Sequence, residues 1–460
     1  MTILERFAEF IYANKDAKFD SETLHHARRA LLDWQGALIA GANAHTADLL
    51  RLAYKDELHD LHDSHISGLC SVAGTHLRAA PRAAAFLNGT ISHIAEFDDI
   101  YRDGGYHPAS PTISAVFALA QARDYSLDDL LRAIILGYEV STRISRVIQP
   151  SHYVYFHTTG TVGVFGAAAA CAALLKLGVQ QTCSAMAIAG TFASGLQEAF
   201  RSDSMTKPMH AGHAAEVGLS AALSAEVGMT GAPRLLEGDA GFGAAMSKHP
   251  RWSEIFEALG EHFSISSITF KNHGCCGHTF PAIDAVANLV DQHKFNLSDI
   301  KRIRVGGYRQ TVEVCAYRHP QTQFEAKFSV SYTVAARLVL GRVREDAFLL
   351  SSLKDPVVRA LEDKVELYLD NACANDYPTR RSARVEIELS DGQILVQHQM
   401  TRHGDPDDPL TDQELIDKFR ELVEPRLGHV NLERILNSII GAGDMPVRQI
   451  AAHWALKGTS

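Results

Sequence analysis

The run Phe270-Lys271-Asn272-His273-Gly274-Cys275-Cys276-Gly277-His278 sets an ammonium, two imidazoles and two thiols side by side. Pro281 and the apolar spacing of Ala282, Ile283, Ala285, Val286, Leu289 and Val290 read as an amphipathic helix, so His278 and Thr279 fall at its N-terminal end. Unbonded backbone N–H groups there favour an anion, and with Lys271 they suit a carboxylate. The plainer alternative is a glycine-rich loop with solvated side chains. The adjacent Cys275 and Cys276 lack the C-x2-C spacing of zinc ribbons and match no iron–sulfur pattern, so no metal is expected. Neither a P-loop nor a strand-borne G-x-G-x-x-G is present, which removes the usual nucleotide sites.

Three further clusters could do proton chemistry. In Glu96-Phe97-Asp98-Asp99, Asp98 continues the helical spacing of Leu87, Ile91 and Ile94, whereas Asp99 is rotated away. A carboxylate on a buried stripe needs a partner or a task, the alternative being a fraying, exposed helix end; His107-Pro108 follows nearby. His157, in Phe156-His157-Thr158-Thr159-Gly160-Thr161, precedes a Gly/Ala-rich helix whose N-terminus would keep the imidazole neutral and able to accept a proton, or it is simply structural. In Arg201 to His213, Pro208 suits a first helical turn, Lys207 and His210 then share a face, and the small Ala211, Gly212, Ala214 and Ala215 suggest close burial, the even alternative being solvated surface charge.

Positioning such groups takes a large scaffold. The chain has 460 residues, more than one compact core, with 46% hydrophobic and 21% charged residues, an ordinary globular composition. Residues 1–261 read as helical almost throughout, including Leu24 to Ala40, Pro81 to Phe97, Leu127 to Ile148, Val162 to Leu177 and Ala211 to Val227. Residues 262–400 mix helices at Ala282 to Val290 and Tyr332 to Val339 with strand-like Ile265 to Phe270, Ile303 to Val305 and Ala383 to Leu389. Asp391-Gly392 turns the last of these into Ile394-Leu395-Val396. Arg402 to Pro409 reads as a polar linker, after which a capping box at Thr411 and Glu414 opens a helix. The expected fold is mainly α: a helical domain of residues 1–261 and 401–460, with an α/β or α+β domain of residues 262–400 inserted.

The formal charge of −10 argues against a nucleic-acid surface but leaves room for a local cationic site. Val162 to Leu175 is too short to span a bilayer, Met1 to Phe10 lacks the apolar run of a secretory signal, and seven cysteines without scaffold spacing suggest reduced thiols. A cytoplasmic protein without membrane or nucleic-acid partners is the expectation.

Together the clusters resemble the MmgE/PrpD family, over almost the whole chain. The resemblance is carried by Ala95-Glu96-Phe97-Asp98-Asp99 with His107-Pro108, His157-Thr158-Thr159-Gly160, Arg201 to Gly212, Gly238-Asp239-Ala240-Gly241-Phe242, Lys271 to His278 and Glu325-Ala326-Lys327-Phe328-Ser329. It implies a helical domain from both chain ends, a smaller α/β lid, a homodimer, a pocket between the domains, and catalysis with neither metal nor organic cofactor. By motif it implies the catalytic residues Asp98, His107, His157, Lys207, Lys271 and His278, with Arg201, His210 and Tyr317 binding substrate. The stretch Ile100 to Tyr106 departs from the methylcitrate enzymes, in which a Thr soon follows the Asp.

The implied chemistry makes or quenches a carbanion next to a carboxylate, so cations must offset the developing charge. Lys207 and Lys271 suit that task, His157 and Asp98 form an acid–base pair, and His107 is a second proton carrier. Dehydration of a 2-methylcitrate-like hydroxy acid is the leading expectation. A cis-aconitate-type decarboxylase and an iminodisuccinate-type epimerase are its rivals, and a non-catalytic protein that binds small acids is the rival of a different class.

Overall fold

A computed structural model describes residues 1–60, 68–200, 202, 204–441 and 443–454. The chain divides into two compact units, one of Met1–Thr269 with Asp412–Ser460 and one of Phe270–Thr411.

The first unit is built of helices around Thr158–Leu174, a helix in which every residue is buried. Its Gly/Ala composition has no polar face to turn to water, and it is covered by the helices Leu127–Val147 and Thr206–Glu226. Small residues set how near the neighbours come: a Cβ on Gly137 would lie 2.7 Å from the Gly166 carbonyl, so those backbones are in direct contact. Pro81–Ile94 and Thr206–Glu226 approach in the same way, a Cβ on Gly212 meeting the Phe86 carbonyl at 2.3 Å. The C-terminal segment returns as Asp412–Leu427, which packs on Ser21–Gly41. Among the described residues no helix is long and apolar enough to cross a membrane.

The second unit carries a four-stranded sheet ordered 365–369, 300–307, 383–389, 394–399, with the first pair parallel and the others antiparallel. Ala383–Leu389 alternates buried and partly exposed side chains as its period of two requires. Gly392, at φ +88°, makes the expected turn into Ile394–Gln399. Helices Phe280–Gln292 and Val330–Leu340 supply the apolar cover, while Arg304–Glu386 at 2.8 Å and Lys301–Glu388 at 2.6 Å pair charges across neighbouring strands.

Two expectations need correction. Ile265 to Phe270 is no strand: Ser264–Ser267 forms a 3-10 turn, tied to Glu139, whose carboxylate accepts from the Ser264 N–H at 2.7 Å and hydroxyl at 2.9 Å. Only Thr269 pairs like a strand residue, exchanging both backbone hydrogen bonds with Ile100. Arg402 to Pro409 is no solvated linker either, because Arg402 and Asp405 form a fully buried ion pair that fastens the segment.

Candidate active site

The helix Pro81–Ile94 ends before the acidic cluster. Ala95 caps it and Glu96 takes the left-handed φ of 61°, which redirects the chain. Asp98 therefore lies beyond the helix instead of on its apolar stripe, and Asp98 and Asp99 are both fully buried. The exposed, fraying end is thus overturned, and so is the outward rotation of Asp99. Asp99 accepts the Ala109 N–H at 3.0 Å through Oδ1 and pairs with the Tyr138 hydroxyl at 2.8 Å through Oδ2, fastening the start of the next helix, Ala109–Ala122. Burial raises its pKa well above the usual carboxylate range.

Asp98 is the focus of a polar cluster. Its Oδ2 pairs with His93 Nδ1 at 2.7 Å and accepts from the Ser110 hydroxyl at 2.9 Å. His107 Nδ1 lies 3.5 Å from the same oxygen but bonds to the Asp99 carbonyl at 2.8 Å. His157 precedes the helix Thr158–Leu174 as expected, and its side chain does no capping. Its Nδ1 instead meets His210 Nδ1 at 3.1 Å, while its ring stacks on His93 with centroids 5.6 Å apart. Four imidazoles thus share one site with Asp98.

His157 is held neutral, with its pKa well below the usual value. Its helix position was expected to do this, but burial is the largest cause, followed by the neighbouring His93, His210, Lys207 and His107. Burial likewise lowers His210 to about 4. Lys207 and His210 both lie on Thr206–Glu226, so the shared face is real. Lys207 is buried and forms an ion pair with Glu96, a partner that local spacing could not reveal.

His93, Asp98 and His107 offer possible metal-ligand atoms within 4.8 Å of one another. Their geometry fits a proton network better. The 2.7 Å contact between His93 Nδ1 and Asp98 is a hydrogen-bond distance, and His107 Nδ1 is committed to a carbonyl. A surface groove of about 630 Å³ lined by His429, Glu433, Arg434 and His453 shares none of these residues.

Lys271, His278 and Tyr317 belong to the second unit. Lys271 is buried at 1% exposure. His278 sits just before Phe280–Gln292, as expected, and its Nδ1 meets the Tyr308 hydroxyl at 2.7 Å. Burial, with Arg381 and Arg402 nearby, holds His278 neutral, and burial raises the Tyr308 pKa. The tyrosine therefore donates, leaving the His278 proton on Nε2. His273 bonds through Nε2 to Asp284 at 2.9 Å, and Asp284 also accepts the His403 N–H, so this imidazole clamps two segments together. Cys275 is buried and its thiol is pushed up to about 12, which leaves it inert. Tyr317 is partly buried with its ring 6.2 Å from that of Phe324, against the apolar core. Arg201 lies outside the described residues.

The residues that spacing did not single out are His93, Ser110 and Tyr308. His93 had one faint signal: the helix Pro81–Ile94 carries Asn88, Thr90, Ser92 and His93 on turns that are buried, where polar side chains need partners.

Family models match most of the chain, the MmgE/PrpD N-terminal domain over residues 5–255 and the MmgE/PrpD C-terminal domain over residues 273–440. Cis-aconitate decarboxylase-like protein oryM of Aspergillus oryzae is 28% identical over 452 residues, covering 93% of this chain and 91% of that protein. Human cis-aconitate decarboxylase is 28% identical over 466 residues, covering 96% and 92%. Mitochondrial 2-methylcitrate dehydratase of Yarrowia lipolytica is 23% identical over 406 residues, covering 79% and 74%.

Proposed function

Because this chain belongs to the MmgE/PrpD family, we propose that it is a lyase acting on a small di- or tricarboxylate by proton transfer at a carbon next to a carboxylate. The observation that carries the reading is the gathering of Asp98 with His93, His107, His157 and His210 in a buried setting, where burial holds His157 and His210 neutral. Decarboxylation of a cis-aconitate-like acid is the first choice of reaction, supported by relatives of that name aligned over more than nine-tenths of both chains. Dehydration of a 2-methylcitrate-like hydroxy acid is the second, supported by the more distant dehydratase. In the Ile100 to Tyr106 stretch Ile100 is a buried apolar residue bonded through its backbone to Thr269, so no hydroxyl is offered at that position.

In a decarboxylation the electrons of the breaking C–CO2 bond move into the neighbouring double bond. The displaced pair rests beside the remaining carboxylate, and one added proton quenches it. The donor is His107, with the Asp98 carboxylate 3.5 Å from its Nδ1 to support it as an acid, since neutral His157 and His210 are poor acids. In a dehydration a base first removes the proton beside the carboxylate and an acid then protonates the departing hydroxide, and neutral His157 suits the base. Lys207 offsets the enolate charge in both, a donor of this kind being worth roughly 3–4 kcal/mol. Glu96 already opposes the Lys207 charge, so Lys207 serves mainly as a directed hydrogen-bond donor. Arg201 and His210 complete the proposal as substrate-binding groups. No metal or organic cofactor has a part in it.

The test incubates chelator-treated protein separately with cis-aconitate, 2-methylcitrate, citrate and iminodisuccinate in deuterated water and follows the products by NMR. Release of carbon dioxide with one deuterium fixed in the product is expected from cis-aconitate and should vanish in Asp98→Asn. Alkene formation from a hydroxy acid moves the assignment to dehydratase, and deuterium uptake without elimination to epimerase. No turnover of any of the four sinks the lyase reading for these acids.

A further inference from the structure

His93 occupies the last turn of Pro81–Ile94 and has no solvent exposure. Its Nδ1 is 2.7 Å from Asp98 Oδ2, nearer than His107 Nδ1, which lies 3.5 Å from the same oxygen. Its Nε2 is buried and makes no hydrogen bond among the described residues, although such nitrogens normally find a partner. The ring is fixed on two sides, by stacking on His157 and by an edge contact with His107 at 4.9 Å between centroids. The imidazole is therefore held for what Nδ1 does.

Facing an ionised carboxylate, which can only accept, Nδ1 must carry the proton. Ser110 donates to the same oxygen at 2.9 Å, and the Ser92 hydroxyl donates to Ser110 at 3.0 Å. Donors aimed at a buried carboxylate favour its charged form against the desolvation that opposes it. At Asp99, a residue away, burial is the largest cause and its pKa is raised. Among the described residues, the charged or titratable groups around the pair include Asp99, His107 on the following loop, His157 at the start of Thr158–Leu174, His210 and Lys207 on Thr206–Glu226 with Glu96 opposing Lys207, and the Asp33–Lys418 pair behind Asp99 and Phe97.

We propose that His93 is the positioning residue for Asp98: its Nδ1–H, together with the Ser110 hydroxyl, fixes Oδ2 and keeps the carboxylate ionised and ready to take a proton. The proton-handling unit is then the Asp98–His93 dyad, with His157 stacked on it and paired instead to His210. The inference rests on the lyase reading only for Asp98 acting in turnover. The dyad itself can be tested without a substrate.

The variants are His93→Leu, which removes the donor, His93→Asn, whose amide N–H reaches the place of Nδ1, and Ser110→Ala. In protein labelled with 13C at the aspartate carboxyls, the Asp98 signal is assigned by its loss in Asp98→Asn and titrated in each variant. His93→Leu should raise the Asp98 midpoint by about one pH unit or more, with His93→Asn returning it toward wild type and Ser110→Ala moving it the same way by less. With a substrate that turns over, the acidic limb of kcat/KM should move with the midpoint, and His93→Leu should lower kcat at least about tenfold while leaving KM within about twofold. An unmoved Asp98 midpoint in His93→Leu overturns the proposal, as does a His93→Asn that titrates like His93→Leu. Should His93→Leu fail to fold, His93→Asn and Ser110→Ala decide it, since the proposal requires a near-normal midpoint in the first and a raised one in the second. Absence of turnover in the wild type counts against the lyase reading alone, because the carboxyl titration still decides the dyad.

Discussion

Two Nδ1 atoms at 3.1 Å, those of His157 and His210, tolerate each other only if one carries a proton and the other a lone pair. The pair is therefore neutral overall, as the lowered pKa values require, and it sets how the protein responds to acid. An unfolded His210 takes up a proton near the ordinary 6.5 and the folded one only near about 4, so the unfolded form binds more protons between those values. Stability is fully present above 6.5, falls as pH drops through that window, and is flat below it. At pH 5 the loss from His210 is up to about 2 kcal/mol, and His157 adds to it in the same direction. Replacing His210 by Gln, which cannot protonate, should shrink the gap between denaturation midpoints at pH 7 and pH 5. An equal gap in the wild type and His210→Gln would sink this account. The sequence exposed Asp98, His157 and Lys207 because each sits in a run of unusual composition. It hid the pairing of His93 with Asp98 and of Glu96 with Lys207, because those side chains meet only through folding.

The elements that carry these side chains are held close by small residues. Pro81–Ile94 bears His93 and Thr206–Glu226 bears Lys207 and His210, and Gly212 lies where the two helices touch. A Cβ there would meet Thr90 Oγ1 at 2.1 Å and the Phe86 carbonyl at 2.3 Å, and a backbone oxygen cannot rotate away. Gly212→Ala should destabilise by about 1–3 kcal/mol by overpacking and should lower kcat in the protein that remains folded. Gly443→Ala, at an exposed position where the added Cβ would have no heavy atom within 4 Å, is the control and should leave both nearly unchanged. Thermal midpoints and kcat for the two variants check this, and equal behaviour would remove the helix contact from the argument. Helices were legible wherever apolar spacing ran for several turns, as in Leu127–Val147. Their ends were less so. The left-handed Glu96 stops a spacing that continues on paper to Asp98, and the Arg402–Asp405 pair buries a stretch that composition alone reads as solvated.

At the scale of the whole chain, the first unit is assembled from both ends of the sequence with Phe270–Thr411 inserted between them. One buried ion pair joins those ends. Lys418, on the returning helix Asp412–Leu427, lies 2.6 Å from Asp33 on Ser21–Gly41, and the side chains are 2% and 0% exposed. The same ammonium donates to the Phe97 carbonyl at 2.9 Å, one residue before Asp98. The C-terminal segment therefore fixes the backbone that presents the site carboxylate, over a sequence separation of 321 residues. Lys418→Met leaves Asp33 buried without its cation and should cost roughly 3–5 kcal/mol, since breaking such a pair is dearer than removing it whole. Adding Asp33→Asn to that variant should recover a large part of the loss in chemical denaturation. Arg309→Ala, which breaks the exposed pair with Glu313, should cost under about 1 kcal/mol. Activity separates anchoring from mere stability, because restoring the fold with the double variant does not restore the bond to Phe97. If the double variant regains full kcat along with its stability, Lys418 holds the chain ends together and has no part in placing Asp98. If stability returns and kcat stays low, the returning segment is part of how the site is built.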